Sequence, residues 1–375
     1  MTDQPTPAMV AAILRDVGLL NVESEEDISV CAISGGNTNR VYRVSHTGAT
    51  TRGGTRNFLL RLFGYGTEVF IDRQQEALIY RAVSSQGLCP KLLATFSEGR
   101  IEEFVPGKPL SAKQFRSGAF SALIARQLRA FHSIADVKGL PKPTIPPLIA
   151  QLRAWATKAR SVCGSAWGGI DVASLEGEVD RLEARLLAVS SPVCLCHNDV
   201  NHLNILLRPT KLETPGQGTS EGTESEIAGC HSNAGCAATT PALGPVAGDD
   251  IVFIDLEYAG WNHRGFDLGN LLCEWASDFQ SPHPCELDFS SRYPTTEEQK
   301  HIARAYLGSG AQGEAIEALV IEMNEFALAS HLLWGMWGLI QSKMSTSEFE
   351  SVSYAQQRLA AYFEGMRRHQ RQQGS

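Results

Sequence analysis

Apolar residues change their spacing along this chain, and each change marks an element. Thr6-Pro7, followed by Ala8-Met9-Val10-Ala11-Ala12-Ile13-Leu14 and closed by Gly18, carries a capping hydroxyl, proline at the first helical position and glycine past the end. That predicts a short leading helix. Residues 28–33 and 41–44 alternate apolar and polar on either side of Ser34-Gly35-Gly36-Asn37-Thr38-Asn39, which reads as strand, glycine turn, strand. Residues 58–63 predict a third strand. The helical spacing of Ala77, Leu78, Tyr80 and Val83 predicts a helix over 72–84. Residues 92–96 and 100–105 then predict a hairpin around Glu98-Gly99, completing the order βββαββ.

Beyond Pro106-Gly107 the period becomes helical, most clearly over 120–134 and 148–160. Residues 204–207 and 251–254 read as two short strands. Between them, residues 209–249 lose all apolar periodicity and fill with Gly, Ser, Thr, Ala, Pro and Glu. Such a segment cannot bury enough apolar surface to offset its conformational entropy, so it is expected to be a disordered insertion at a hairpin tip. Three regions result: an N-terminal helical extension (1–26), a strand-rich lobe (27–105) and a larger, mainly helical lobe (106–375).

Composition narrows the function. The chain has 375 residues, 43% hydrophobic and 20% charged, enough for a sizeable core. Its formal charge of -8 argues against a nucleic-acid binder, which needs clustered Lys and Arg, and suits a neutral or cationic small substrate. No apolar run reaches the roughly 18 residues of a spanning helix, and the N-terminus lacks a charged segment followed by an apolar core. A soluble, cytoplasmic protein without membrane insertion is expected. The nine cysteines follow no disulfide-framework spacing and read as free thiols. In Cys194-Leu195-Cys196-His197, strand alternation sends both cysteines to one face as small buried residues, and no second Cys/His pair stands at finger spacing to make a zinc site.

The chemistry concentrates in Cys196-His197-Asn198-Asp199-Val200-Asn201-His202-Leu203-Asn204 and in Phe253-Ile254-Asp255-Leu256-Glu257. Phosphoryl transfer needs a carboxylate at the attacking hydroxyl and hard oxygen ligands for magnesium. Asp199 can supply the first, and Asn204 and Asp255 the second. The five-residue step from Asp199 to Asn204 is that of a kinase catalytic loop. His197 and Asn198 would brace the loop. Ser34, Gly35, Gly36, Asn37, Thr38 and Asn39 offer backbone N–H groups for phosphates, although a plain hairpin turn has the same composition. Arg61 is a cation inside an apolar strand, positioned for phosphates, with Glu76 on the following helix as its expected partner. Asp267 and Glu274, seven apart, fall on one helix face, where Glu274 either meets a cationic head group or is simply solvated. Trp334 and Trp337 form either core or a cage for an ammonium group.

Together these residues resemble the choline/ethanolamine kinase family. The likeness rests on Leu59-Leu60-Arg61-Leu62-Phe63-Gly64, on Gly99 through Gly107, on the loop from His197 to Leu207, on Ile254 through Asn270, and on Ser330 through Gln341. It implies an α+β, bilobal, protein-kinase-like fold with a small antiparallel-sheet N-lobe and a larger helical C-lobe. It also implies ATP and Mg2+, with Asp199 as base, Asn204 and Asp255 at the metal, and Arg61 at the phosphates. Adenine would lie along Glu102, Glu103, Phe104 and Val105. Tyr258, Glu274, Phe279, Trp334, Trp337, Phe349 and Tyr354 would line the amine pocket, and a homodimer is plausible. The residues Val200-Asn201-His202-Leu203 depart from the family's usual sequence and put His202 in question at the nucleotide and metal. Competing readings are a phosphotransferase for another amino alcohol or an aminoglycoside, and an inactive kinase-like binding module.

Overall fold

Local capping starts the chain as its sequence predicts. The Thr6 hydroxyl accepts from Met9 N (3.3 Å) and opens α1 (Pro7–Asp16). The computed structural model describes residues 4–33, 39–47, 55–64, 70–209, 250–344 and 350–373. Ser34, Gly35, Gly36, Asn37 and Thr38 of the glycine turn, nearly all of the expected insertion, and Phe349 lie outside the described residues.

Five strands form the N-terminal sheet: β1 (Ile28–Ile33), β2 (Asn39–His46), β3 (Arg56–Phe63), β4 (Leu92–Phe96) and β5 (Gly99–Glu103). Their antiparallel order is β1-β2-β3-β5-β4, with α2 (Arg73–Ser85) crossing between β3 and β4. Asp72 caps α2 by accepting from Gln74 N and Gln75 N, both at 3.0 Å. Leu60, Leu62, Ile101 and Tyr42 pack on Val10, Ala11 and Leu14 of α1, so the amphipathic leading helix covers one face of the sheet. The β5 strand ends at Glu103, two residues earlier than the alternation predicts: Phe58↔Glu103 is its last pair with β3, which itself runs on to Arg56, and β4 on its other side begins at Leu92, opposite Glu102.

The C-terminal lobe begins with β6 (Lys108–Pro109), α3 (Ala112–Phe115), α4 (Gly118–His132) and α5 (Leu148–Cys163). A small hairpin of β7 (Ala166–Trp167) and β8 (Ile170–Asp171) follows, then α6 (Leu175–Leu186). Next come β9 (Val193–Cys196), β10 (Ile205–Leu207), β11 (Ile251–Phe253) and β12 (Gly260–His263). The β10–β11 pairing, Ile205↔Phe253 through Leu207↔Ile251, brings the two sequence motifs together across the 40-odd residues that separate them. The β9–β12 pairing, Cys196↔Gly260 through Val193↔His263, closes the other side of the loop. Four helices complete the lobe: α7 (Arg264–Glu274), α8 (Thr296–Leu307), α9 (Gly313–Met344) and α10 (Ser351–Gln373).

The long α9 is the axis of this lobe. Its residues are buried almost all round, from Phe326 and Ala329 to Leu333 and Met336, because α5, α7 and α10 pack on different sides of it. The α7 contact is close enough to demand glycine. A Cβ on Gly269 would stand 2.5 Å from Ala327 N, and one on Gly265 2.5 Å from the Phe326 ring. This contact fixes α7, and α7 holds the catalytic loop.

Candidate active site

The loop between β9 and β10 is held from behind by one buried carboxylate. Asp267, in the first turn of α7, accepts from the backbone N–H of His197 (2.7 Å) and of Asn198 (2.6 Å). Both backbone donors would otherwise be unpaired, and an ionised acceptor strengthens each bond. Asn198 occupies the left-handed region (φ 65°), which Asn tolerates better than most residues. Its side chain donates to Tyr258 O (2.9 Å) and accepts from Asn262 Nδ2 (2.9 Å), so the bend is fixed on both sides. Asn270 adds a bond to Val200 O (3.2 Å). His197 is fully buried, and burial pushes its pKa down. The neutral ring donates from Nε2 to Ile254 O (3.0 Å) and accepts at Nδ1 from Asp199 N (3.3 Å), tying the loop to the strand before Asp255.

Asp199 stands at the tip of this scaffold. Its Oδ1 accepts from Asn201 Nδ2 (3.1 Å) and its Oδ2 from Asn204 Nδ2 (2.8 Å). Because the Asn204 amide nitrogen is committed to Asp199, its carbonyl oxygen is the group left to serve as a hard donor. Asp255 also lies in the left-handed region (φ 61°), an uncommon conformation outside glycine that clusters at functional sites. Its Oδ1 accepts from Arg61 NH1 (3.1 Å), and its side chain is a quarter exposed. Burial pushes the Asp199 carboxyl well above the usual range, and the charges of Glu274 and Asp255 push it further. Carboxylates that repel one another in this way make a donor set suited to a cation.

Arg61 does not pair with Glu76. Its Nε donates to Glu102 (3.1 Å) on the adjacent strand and its NH1 to Asp255. Glu76 pairs instead with Arg100, in a short ion pair, and with Arg73 (2.8 Å). The sheet register explains this: Arg61 lies directly opposite Arg100, so the two guanidinium groups divide the acids between them. Arg100 also donates to Glu102 (2.6 Å), which makes Glu102 the shared centre of a buried network. The Glu102 side chain is therefore occupied within the sheet, and Phe104 and Val105 lie beyond the strand end. Asn39, the one described residue of the glycine turn, donates to Glu257 (2.7 Å) and accepts from Arg73 (3.1 Å), bridging the lobes.

His202 is structural. It is fully buried, donates from Nδ1 to Leu110 O (3.0 Å), accepts at Nε2 from Phe279 N (3.1 Å), and stacks on the Phe279 ring at 5.5 Å and 15°. Its departure from the usual family residue therefore braces the segment carrying Phe279, with both ring nitrogens already in use.

In comparisons with known proteins, the family model described as choline/ethanolamine kinase matches residues 30–363. The chain belongs to the choline/ethanolamine kinase family. It is 32% identical over 348 residues to a probable choline kinase 3 of Arabidopsis thaliana, covering 91% of this chain and 88% of that one. It is 31% identical to a choline/ethanolamine kinase of Rattus norvegicus, covering 90% and 80%. Among solved structures, a choline kinase from Cryptosporidium parvum superposes with a TM-score of 0.72 at 23% identity, covering 97% of this chain and 96% of that one. An aminoglycoside phosphotransferase shares the protein-kinase-like fold more distantly, with a TM-score of 0.55.

In this choline/ethanolamine kinase family member the candidate amine pocket is an aromatic chain. Tyr258 meets Trp334 edge to face (5.2 Å), Trp334 meets Trp337 (5.8 Å), and Trp337 meets Tyr354 (6.1 Å). Trp337 Nε1 donates to the Tyr258 hydroxyl (3.1 Å). Phe279 is half-buried, and its ring partner among the described residues is His202. Glu274 is buried in an ion pair: it accepts from Arg358 NH1 (3.1 Å) and from the Ser277 hydroxyl (2.9 Å). Arg358, from α10, is fully buried and escapes a motif-based reading because it stands 84 residues from its partner. Asp267 carried a visible signal, an acid at the start of a helix, but its two loop contacts lie 69 and 70 residues away. Among the described residues, no helix is long and apolar enough to cross a membrane.

Proposed function

We propose that this protein transfers the terminal phosphoryl group of ATP to the hydroxyl of choline or ethanolamine, forming phosphocholine or phosphoethanolamine for phospholipid synthesis. The observation that carries the reading is the meeting of two sites. Asn198, the residue before Asp199, donates to the backbone oxygen of Tyr258 (2.9 Å), whose ring begins the aromatic chain at Trp334 (5.2 Å). A small alcohol with its ammonium group against these rings would present its hydroxyl to Asp199.

Asp199 accepts the hydroxyl proton. Burial and neighbouring carboxylates hold its pKa up, and the charge of a bound cation lowers it again, towards the ionised form that a base requires. Asn204 and Asp255 would hold Mg2+, which supplies charge neutralisation at the phosphates when bound. Arg61, buried and fixed by Glu102, faces the same place through Asp255 and would orient the nucleotide phosphates. Adenine would lie along the backbone of residues 103–105, and the glycine turn would cover the phosphates. Trp334, Trp337, Tyr258 and Tyr354 attract the ammonium through their ring faces. Since Arg358 already compensates Glu274, that acid tunes the field at the rings more than it reads the amine directly. The described cysteines are all free, which suits action in the cytoplasm.

Steady-state phosphorylation with Mg-ATP, comparing kcat/KM for choline, ethanolamine and an aminoglycoside, tests the proposal. Turnover of choline or ethanolamine with none of the aminoglycoside is the expected result. No turnover of either amine alcohol would refute it.

A further inference from the structure

Three soft donor groups converge beside the loop anchor and take no part in phosphoryl transfer. Cys194 and Cys196 stand two residues apart on β9, both buried, with their sulfurs 3.5 Å apart. The third group is His132, the last residue of α4, brought in from more than 60 residues upstream. One donor atom from each lies within 4.8 Å of the other two. The ring neighbour in sequence, His197, is turned the other way, towards Ile254 O, so the ligand set is not the contiguous one that the sequence suggests.

The spacing suits a metal. Bonds of about 2.3 Å to sulfur and 2.0 Å to nitrogen in a tetrahedral shell separate the donor atoms by roughly 3.5 Å or a little more. The sulfur pair already stands at 3.5 Å, and an imidazole nitrogen lies within 4.8 Å of both sulfurs. Thiolate and imidazole donors select zinc-class cations over magnesium, which takes oxygen. Three protein ligands leave one tetrahedral position for water, the pattern of an exchangeable site.

We propose that His132, Cys194 and Cys196 form a site for a thiophilic divalent cation of the zinc class, separate from the Asn204 and Asp255 pair, and that its occupancy slows turnover. The metal replaces the thiol protons, which leave to solvent, and nothing is oxidised or reduced. The coupling runs through His132. One ring nitrogen is bonded to the Tyr306 hydroxyl (2.8 Å) and the other to Asp267 Oδ2 (3.0 Å), the carboxylate that holds the N–H groups of His197 and Asn198. Either nitrogen must give up its partner to reach the metal, and the ring then moves against the anchor of the catalytic loop.

The test is titration of the reduced, full-length protein with Co2+, followed by the thiolate-to-cobalt charge-transfer absorption. One equivalent should bind with the intensity of two thiolates, and Zn2+ should bleach the band. A wild-type protein without that band overturns the site, whatever the variants do. C194S/C196S should lose the band, and His132→Asn should weaken binding at least tenfold; an undiminished band in C194S/C196S also overturns the site. In the kinetic arm, micromolar Zn2+ at saturating Mg-ATP should slow the wild type several-fold and spare C194S/C196S. Equal inhibition of both would overturn the coupling. The absorption arm does not depend on which substrate the enzyme takes.

Discussion

Replacing Arg358 by methionine tests how the proposed amine pocket manages charge. The guanidinium is fully buried and donates to Glu274 Oε1 (3.1 Å), to the Ser330 hydroxyl (2.8 Å) and to Ser330 O (3.3 Å). Methionine keeps the length and the apolar stem but leaves Glu274 buried with Ser277 as its remaining donor. Removing one member of a buried ion pair costs about 3–5 kcal/mol, mostly through the charge left behind. The variant escapes part of this cost by protonating Glu274, whose carboxyl burial already pushes up and Arg358 pulls back. The sign follows: with the folded pKa raised above the unfolded value of about 4.3, stability is lost as pH rises through that interval. The deficit of Arg358→Met should therefore be larger at pH 8 than at pH 5.5. Adding Glu274→Gln removes the orphaned charge and should recover about 2–3 kcal/mol, which leaves the double-mutant cycle non-additive. Urea unfolding followed by tryptophan fluorescence measures all four corners. A single variant within about 0.5 kcal/mol of wild type at pH 8, or an additive cycle, would mean that the pair is not formed and that Glu274 is free to meet the substrate.

Asp199→Ala should abolish turnover and leave nucleotide affinity within a few-fold, whereas Asp255→Ala should weaken Mg-nucleotide binding itself; calorimetric titration beside a coupled assay separates the two. Asp199→Asn addresses pH. The native carboxyl is held well above its ordinary range, first by burial and then by Glu274 and Asp255. Its contribution to stability is therefore lost as pH rises above about 4. The stability of Asp199→Asn relative to wild type, without magnesium, should increase from pH 5 to pH 8, and a flat difference would contradict the burial argument. Asp267→Asn presents an amide donor where two backbone donors need an acceptor. It should cost about 2–4 kcal/mol and lower kcat, and amide exchange at His197 and Asn198 should accelerate, which a remote packing defect would not cause.

What the sequence made legible is chemistry carried on contiguous residues. Asp199, Asn204 and Asp255 stand in two short motifs whose spacing already implies their geometry, and β10 and β11 pair them. Arg61 was visible as a cation in an apolar strand. Its partner was not, because the choice between Glu76 and Glu102 depends on where Arg100 lands, and that is a matter of register between two strands. The same limit hid Arg358 under Glu274 and His132 beside the β9 cysteines. Each is an ordinary residue of an amphipathic helix until another helix meets it. His202 looked like a threat to the catalytic loop because sequence shows its neighbours in order, whereas its real partners are Leu110 and Phe279. The apolar alternation of β5 runs two residues past Glu103, because side-chain spacing continues in the sequence after the pairing with β3 and β4 has ended.

The glycine contact between α7 and α9 sets an order of events during synthesis. Asp267 can fix the catalytic loop only when α7 is in place, and α7 has no seat until Phe326 and Ala327 of α9 are available at Gly265 and Gly269. A ribosome that has finished both motifs must therefore translate some 70 further residues, from Glu257 to Ala327, which at about 5–20 residues per second takes several seconds, and then clear them from its exit tunnel. Until then the nascent chain carries the residues proposed for phosphoryl transfer but not the scaffold that holds them in place, and it exposes the apolar faces that α9 will cover. Folding helpers would find their client in that interval, and a chain cut short within α9 would leave the cell with an intact motif and no activity.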